Sequence, residues 1–510
     1  MARTDNVKKN LVFNIIKYVT QTVLHFVLRT ALIYIIGKEY LGLNSLFSNI
    51  FSFLNLAELG IGTAIAFSMY KPVAENDIEK IKTLQNLYRR FYLIISLIIF
   101  IVGVGLLPFL KTFIKGDVSA EINIYLLYAM YLINSIVGYF CAHKRAVLFA
   151  YQRNDIENKI KTICIILMSV IQVAILFIFR NYYIYFAVTI LFTIIECICV
   201  QVVTNKKYPE LKGPANPLDA ITKKEISKNV VALSIQKVSG ALIYSTDNIL
   251  ISAIVGISVL GVYSNYYLII STIISIYVLL VNALTSSVGN MITSESVDYV
   301  YDKYQKLNLL FTIFTIFCTV CLFVLFQPFM NVWVRGDASY ILEFSTVILL
   351  CVSFYIVRMR MCVIIFKDAA GLFWQNKFIP VVEAVLNIAI SIVLGIFMGI
   401  NGIILGTIIS CVCAPMILEP RILYKHYFKK SVWLYVKQLL IDTIIMIVIA
   451  GLVYLVCSFI PNGGVWLFIA KLAVCVVLTL LLLLASYAPT KQFRETLGWL
   501  KGILKKTDQK

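Results

Sequence analysis

The stretch LVFNIIKYVTQTVLHFVLRTALIYII, residues 11–36, decides how the rest of the chain is interpreted. It is long enough to cross a bilayer as one helix, because about 20 apolar residues at a rise of 1.5 Å suffice. It nevertheless contains Lys17, His25 and Arg29. A charged side chain that faces lipid at mid-bilayer costs at least about 2.5–3.5 kcal/mol, so such residues normally face protein or a wet cavity. We therefore predict a helix with a polar face turned away from lipid.

The polar and apolar side chains of this helix fall on different arcs. The polar set is Tyr18, Gln21, Thr22, His25 and Arg29, and the opposing apolar set is Ile16, Val23, Leu24 and Val27. We interpret the polar arc as one wall of a water-filled cavity. The alternative is a packed polar stripe between helices, in which a carboxylate neutralises Arg29.

Composition places the chain among polytopic membrane proteins. Of its 510 residues, 60% are apolar, and the mean hydropathy is +0.89, which excludes a soluble globular domain. Because lipid offers no partner to an unpaired backbone group, the long apolar runs predict helices. The net charge of +19 comes from basic residues in short loops. It therefore indicates topology and not nucleic-acid binding.

We predict an all-α protein with about fourteen membrane spans. They are 11–36, 43–70, 91–114, 122–142, 162–179, 182–204, 229–254, 261–292, 308–333, 339–366, 378–398, 402–424, 438–458 and 465–487. Lys and Arg are concentrated in alternate loops, around 71–90, 144–161, 206–228 and 421–437. By the positive-inside rule these loops are cytoplasmic, which places both termini inside the cell.

An internal repeat divides the chain into two parallel six-helix lobes. The segment Gly37-x-x-x-Leu41-Gly42-x-x-Ser45 recurs 219 residues later as Gly256-x-x-x-Leu260-Gly261-x-x-Ser264. Ile114-Lys115-Gly116-Asp117 recurs 220 residues later as Val334-Arg335-Gly336-Asp337. A nearly constant offset over this length indicates duplication.

The repeat sets the predicted domain boundaries. They are an N-terminal lobe at 1–204, a proline-containing cytoplasmic linker at 205–228, and a C-terminal lobe at 229–430. Two further spans occupy 431–489, and a basic tail occupies 490–510. The tail has an apolar face formed by Phe493, Leu497, Leu500 and Leu504, which predicts an amphipathic helix on the inner leaflet; a solvated tail is the alternative.

The same offset gives a second polar helix. It maps Arg29 and His25 onto Asn248 and Tyr244, and Tyr18 onto Lys237, so each lobe carries one cation on its first helix. With Asn55 of the second span, these residues form the predicted substrate-binding set: His25, Arg29, Asn55, Lys237, Tyr244 and Asn248. Glu58 and Asp247 are predicted either to couple an ion or to serve as the charge partners of Arg29 and Lys237.

Other intramembrane charges are assigned no role. Lys471, Glu383 and Asp442 lie near span ends, where they are expected to snorkel, and Glu196 lies deeper without an evident partner. The twelve cysteines lie mostly in apolar runs. We therefore predict no metal and no cofactor. The chain contains no phosphate-loop, HExxH or GxSxG motif, so we predict that it is not an enzyme.

Four features of the chain together resemble those of a known family. They are the number of spans, the duplication, the Gly-x-x-x-Leu-Gly segment and the run LAELGIGTAIAFSMYKP at 56–72. The chain is similar to the Wzx-type polysaccharide flippases of the multidrug/oligosaccharidyl-lipid/polysaccharide exporter superfamily, whose fold is MATE-like. The resemblance implies two lobes in a V around a cationic cavity, and alternating access. It also implies a bacterial plasma-membrane flippase for undecaprenyl-diphosphate-linked oligosaccharide repeat units, used for capsule or other surface polysaccharides. Membrane lipids, a polysaccharide polymerase and other assembly proteins are the implied partners.

Two alternatives stay open at this point. A MATE-like cation-coupled drug or small-molecule extruder would prefer a cavity dominated by carboxylates, whereas here each polar helix carries a cation. A membrane polysaccharide polymerase would place catalytic groups in sizeable external loops, and the predicted external loops hold about ten residues or fewer.

Overall fold

The computed structural model describes residues 2–55, 61–116, 118–213 and 246–508. Over these residues the secondary structure is helical, with no strand. Twelve helical segments of the described chain are long and apolar enough to cross a membrane. The predicted span 43–70 falls on two shorter helices, and of the predicted span 229–254 only residues 246–254 are described, within the short helix Thr246–Val255. The predicted all-α polytopic class is confirmed.

The described residues cluster into two compact units, Met1–Ser264 and Asn265–Lys510. The first unit begins with α1 (Ala2–Ile35), α2 (Lys38–Leu54), α3 (Ile61–Glu75), α4 (Ile78–Leu106) and α5 (Ile124–Tyr139). It continues with α6 (Ala142–Ala150), α7 (Asn154–Phe179), α8 (Tyr182–Lys207), α9 (Thr246–Val255) and the first turns of α10 (Ile257–Ser294). A seven-residue 3-10 helix, Leu107–Phe113, extends α4.

A capping residue explains why α4 begins before its apolar run. The Asp77 carboxylate accepts a hydrogen bond from the Lys80 amide at 3.0 Å, so α4 starts well ahead of the predicted residue 91. Asn181 caps α8 in the same way, through the Tyr183 and Ile184 amides at 2.8 and 3.2 Å. Hydropathy locates the apolar middle of a span, whereas side-chain oxygens decide where the helix begins.

The second predicted span differs from the structure. Residues 43–70 are predicted as one helix, but α2 ends at Leu54 with Asn55 as its C-cap, and α3 begins at Ile61. Residues 56–60, including Glu58, lie outside the described residues. The structure therefore describes two helices of 17 and 15 residues in place of one long span.

Helix α1 packs along α7 in the first unit. The Lys17 ammonium donates to Asn158 Oδ1 at 2.8 Å, and Lys159 lies 4.3 Å from the centre of the Phe13 ring. Just before α7, Arg153 donates to both carboxylate oxygens of Asp155 at 2.8 and 3.0 Å. These hydrogen bonds raise the pKa of Arg153 above its usual range.

The second unit is built from the remainder of α10 and from ten later helices. They are α11 (Val297–Trp333), α12 (Phe344–Met359), α13 (Met361–Ala369), α14 (Phe373–Asn376), α15 (Ile379–Met398), α16 (Ile400–Cys413), α17 (Pro415–Leu423), α18 (Trp433–Ser458), α19 (Gly464–Tyr487) and α20 (Lys491–Asp508). Its core joins α11 to α18 and α19 through buried Ile316, Val320, Val453 and Cys475. The two C-terminal spans, α18 and α19, thus pack against α11 of the second unit.

The C-terminal tail forms the amphipathic helix α20. It packs against the start of α11, where Gln492 donates to the Gln305 carbonyl at 2.9 Å. Lys303 lies 5.4 Å from the centre of the Trp499 ring, and Phe493 joins the buried core. The tail is therefore attached to the protein, and its contact with the inner leaflet stays a prediction.

Candidate functional site

The exposure of the side chains along α1 follows the apolar pattern of its sequence. Ile16, Val23 and Val27 are 44, 56 and 46% exposed along one strip, as lipid-facing residues of a membrane helix are. Leu28 and Leu32 are buried on another side. Between these strips Arg29 is half-buried, and His25, one turn earlier, is exposed.

Arg29 contacts the second copy of the repeated glycine motif. Its guanidinium donates to the Ser264 hydroxyl and, at 3.4 Å, to the Gly261 carbonyl. Both acceptors are neutral oxygens at the beginning of α10. They orient the guanidinium at the start of this helix.

The two copies of the motif pack against each other within the first unit. A Cβ at Gly42 would lie 2.1 Å from the Ile257 carbonyl oxygen, and a Cβ at Gly261 would lie 2.1 Å from the Lys38 carbonyl oxygen. Each repeated glycine therefore contacts the first residue of the other helix. The contact is reciprocal, as expected when duplicated segments meet about a pseudo-two-fold axis. Glycine is required because a side chain at either position would force the backbones apart.

The motif's first glycine has a different role. Gly37 and Gly256, at φ 101° and 148°, directly precede α2 and α10 and adopt backbone conformations that other residues rarely take. Lys115, from the other repeated segment, lies beside the turn at Gly256. Lys115 exchanges backbone hydrogen bonds of 3.1 Å with Ser252 and Ile257. Residues of both repeated segments thus contact the start of α10.

A tyrosine cluster lies within electrostatic reach of Arg29. It consists of Tyr131, Tyr182 and Tyr185, whose exposed fractions are 6, 1 and 8%. The Tyr131 and Tyr182 hydroxyls share a hydrogen bond of 3.0 Å, and Tyr131 donates to Asn44 Oδ1 at 2.5 Å. Sequence reasoning missed this cluster. Its signal was the run YYIY at 182–185, at the start of a predicted span.

Asn55 lies at the C-terminal end of α2 and faces α5. Its Oδ1 accepts hydrogen bonds from Ser135 at 2.9 Å and from Tyr139 at 2.7 Å. The side-chain amide is therefore held in one orientation by two hydroxyl groups. Its predicted role in substrate binding stays a prediction.

The remaining predicted site residues divide into two groups. Asn248 is 6% exposed in α9, and its Oδ1 has no hydrogen-bond partner among the described residues; Asp247 beside it is half-buried. Lys237, Tyr244 and Glu58 lie outside the described residues. The structure brings Arg29 to the second repeat copy, and the cavity predicted to be shared by Arg29 and Lys237 stays a prediction.

Two ion clusters, one partly buried and one largely buried, correct the sequence analysis. Glu196, expected to be without a partner, accepts from Arg145 at 2.7 Å, and Glu157 lies 3.7 Å from the same guanidinium. In the second unit, Arg360 contacts Glu383 at 3.2 Å and Glu419 at 3.1 Å. In each unit one arginine near the start of a short helix therefore bridges two later helices.

The other charges near span ends are also buried and hydrogen-bonded, whereas snorkelling was expected. Asp442 is 2% exposed and accepts from Tyr487 at 2.7 Å. Lys471 is 5% exposed and donates to Asn462 at 2.7 Å. Among the described residues, no group of three or more His, Cys, Asp or Glu side chains is arranged to hold a metal ion.

The arrangement of the helices is a MATE-like fold. The chain is similar to the lipid II flippase MurJ in an inward closed conformation, with TM-score 0.68 and 14% identity over 94% of this chain and 99% of that one. It is also similar to a multidrug resistance MATE transporter in an inward-facing conformation, with TM-score 0.57 and 15% identity over 79 and 94% of the two chains. A third similar structure is the Vibrio cholerae MATE transporter VcmN, with TM-score 0.56 and 12% identity over 83% of this chain and 98% of that one. No protein-family model and no curated sequence matches the chain.

Proposed function

We propose that this chain is a flippase that moves undecaprenyl-diphosphate-linked oligosaccharide repeat units from the inner to the outer leaflet of a bacterial plasma membrane. The product would supply capsule or another surface polysaccharide, together with a polymerase and other assembly proteins. The protein would act by alternating access, with both termini in the cytoplasm. It would bind no nucleic acid and need no cofactor.

The arrangement around Arg29 carries this proposal. The Arg29 guanidinium can donate charge-assisted hydrogen bonds to a diphosphate, and such bonds are about twice as strong as neutral ones. The hydroxyls and ring faces of Tyr131 and Tyr182 have the chemistry that sugars require. Because both side chains are buried in this conformation, they would reach a sugar only in another state of the transport cycle.

The further site residues extend this assignment. His25, Asn55, Lys237, Tyr244 and Asn248 are proposed to contact the oligosaccharide diphosphate along the same path. Glu58 and Asp247 are proposed to couple an ion or to balance the two cations. These assignments follow the polar faces of the repeated helices in the sequence.

The membrane potential favours the proposed direction of transport. One elementary charge crossing 100 mV corresponds to about 2.3 kcal/mol, and a diphosphate that moves outward carries negative charge away from the negative interior. The lipid tail stays in the bilayer, so only the polar head needs a path. The MurJ structure, whose name describes a lipid II flippase, supports a fold suited to such substrates.

A cation-coupled drug extruder is the second candidate, because the MATE transporters share the fold. The two functions differ in their substrates. Drug efflux that depends on a cation gradient, without any effect on lipid-linked sugars, would establish the extruder and refute the flippase.

The test is deletion of the gene followed by tracking of lipid-linked oligosaccharide. A flippase predicts accumulation on the cytoplasmic leaflet, restored by the wild-type chain but not by Arg29→Ala. The matched control is Lys111→Ala, which removes an exposed cation distant in sequence from the site. Normal outward appearance of the oligosaccharide with failed chain growth would instead indicate a polymerase.

A further inference from the structure

A basic cavity opens in the first unit, away in sequence from the residues assigned to translocation. Its volume is about 430 Å³, within the range of small-molecule sites. It is bounded by α4, α6, α8 and the segment 211–213. Four of its lining residues are basic, namely Arg89, His143, Lys144 and Lys212, and none of its described lining residues is acidic.

The cations of this cavity are not neutralised by protein groups. Lys144 is only 8% exposed, and the positive charges of Arg89 and Lys212 repel it. Over the described chain, the side chains of these three residues have neither an ion pair nor a hydrogen bond. A buried unpaired ammonium is unfavourable, because it has lost hydration without gaining a partner.

The cavity also contains an amide without a partner. Gln85 is 4% exposed, lines the cavity, and its Oε1 has no hydrogen-bond partner among the described residues. The Oδ1 of Asn205, another lining residue, is likewise buried and unpaired. Buried polar groups in proteins are normally hydrogen-bonded. The cavity thus combines unpaired cations with unpaired amides, which suits a group that has both anionic oxygens and hydroxyl donors.

We propose that this cavity binds a phosphate-bearing anion. The phosphate oxygens would accept from Lys144, Arg89 and Lys212, and hydroxyl groups attached to the phosphate would donate to Gln85 and Asn205. Arg89, Lys144 and Lys212 belong to the basic loops that the sequence assigns to the cytoplasmic side, where anionic lipid headgroups and soluble phosphates both occur. The cavity shares no residue with the substrate-binding set proposed above, although its lining residue Tyr139 donates to Asn55.

The test measures thermal unfolding of the full-length protein in detergent. The probes are phosphatidylglycerol, which carries a phosphate and two hydroxyls, phosphatidylcholine as the zwitterionic control, and inorganic phosphate. We expect phosphatidylglycerol to raise the unfolding midpoint in a saturable way and phosphatidylcholine to have no such effect. If inorganic phosphate alone gives the full shift, the source is a soluble anion, and the phosphate site is still supported.

Variants separate binding from a structural role. Lys144→Met removes a buried unpaired charge, so the unliganded midpoint should stay level or rise, whereas the apparent affinity for the anion should fall at least about tenfold. The pair Arg89→Gln and Lys212→Gln, at more exposed positions, should weaken affinity with the fold retained.

The matched control is Arg90→Gln with Lys206→Gln. It removes the same net charge from exposed residues that do not line the cavity, and it should keep the full response. Two results would overturn the proposal. One is the absence of any specific shift in the wild-type protein, and the other is a shift retained at full affinity in Lys144→Met.

Discussion

The reciprocal contact between Gly42 and Gly261 gives a prediction whose size follows from the structure. Alanine at Gly42 would place its Cβ 2.1 Å from the Ile257 carbonyl oxygen, whereas ordinary van der Waals contact begins at 3.4 Å. The first turn of α10 would therefore have to move by about 1.3 Å. The obstacle is backbone, so no side-chain rotation relieves it.

Each single substitution should destabilise the protein by about 1–3 kcal/mol, the usual cost of overpacking. This result is opposite in sign to the ordinary effect of Gly→Ala in a helix, which stabilises by roughly 0.5–1 kcal/mol. Gly105→Ala is the matched control, because Gly105 also lies in a membrane helix and a Cβ there has no atom within 4 Å. It should leave the unfolding midpoint unchanged or raised.

The double variant tests whether the two contacts are one interface. Once Gly42→Ala has separated α2 from α10, Gly261→Ala should add little, because both clashes are relieved by the same displacement. The destabilisation of the double variant should therefore fall well below the sum of the single effects. Thermal unfolding in detergent compares the wild-type protein with the two single variants, the double variant and Gly105→Ala. Additive effects, or a stable Gly42→Ala protein, would refute the reciprocal packing.

Two further substitutions test separate features. Arg360→Leu should lower the free energy of unfolding by about 3–5 kcal/mol, because Glu383 loses its described guanidinium partner inside the protein. Denaturant or thermal unfolding measures this loss, and an unchanged stability would contradict the buried cluster. Asp77→Ala should cost about 1 kcal/mol through loss of the α4 cap, whereas Asp77→Asn should retain most of the stability; equal losses in the two variants would argue against capping.

The sequence predicted the class and approximate positions of the helices for a physical reason. In lipid every backbone polar group needs an internal partner, so a long apolar run has little choice but to be helical. The repeat was visible because its glycines are required individually, Gly37 and Gly256 by conformation and Gly42 and Gly261 by close packing. Such requirements leave a signature in one chain, without any alignment.

Side-chain partners across long sequence separations were not predictable in this way. Nothing local to Glu196 indicates that Arg145, 51 residues earlier, neutralises it. Nothing near Arg29 points to Ser264, 235 residues later. Polar periodicity indicates which face of a helix is polar, but the identity of the opposing residue depends on the tertiary fold.

The proposed function is movement of lipid-linked oligosaccharide across a bilayer. The most direct test reconstitutes the purified full-length protein in vesicles that contain undecaprenyl-diphosphate-linked oligosaccharide and measures how fast a membrane-impermeant reagent gains access to the inner-leaflet sugar. We predict rapid access with the wild-type and Lys111→Ala proteins, and a rate at least about tenfold lower with Arg29→Ala, the equivalent of one lost charge-assisted contact. Access no faster than in protein-free vesicles would contradict the flippase, and full activity of Arg29→Ala would contradict the assigned site.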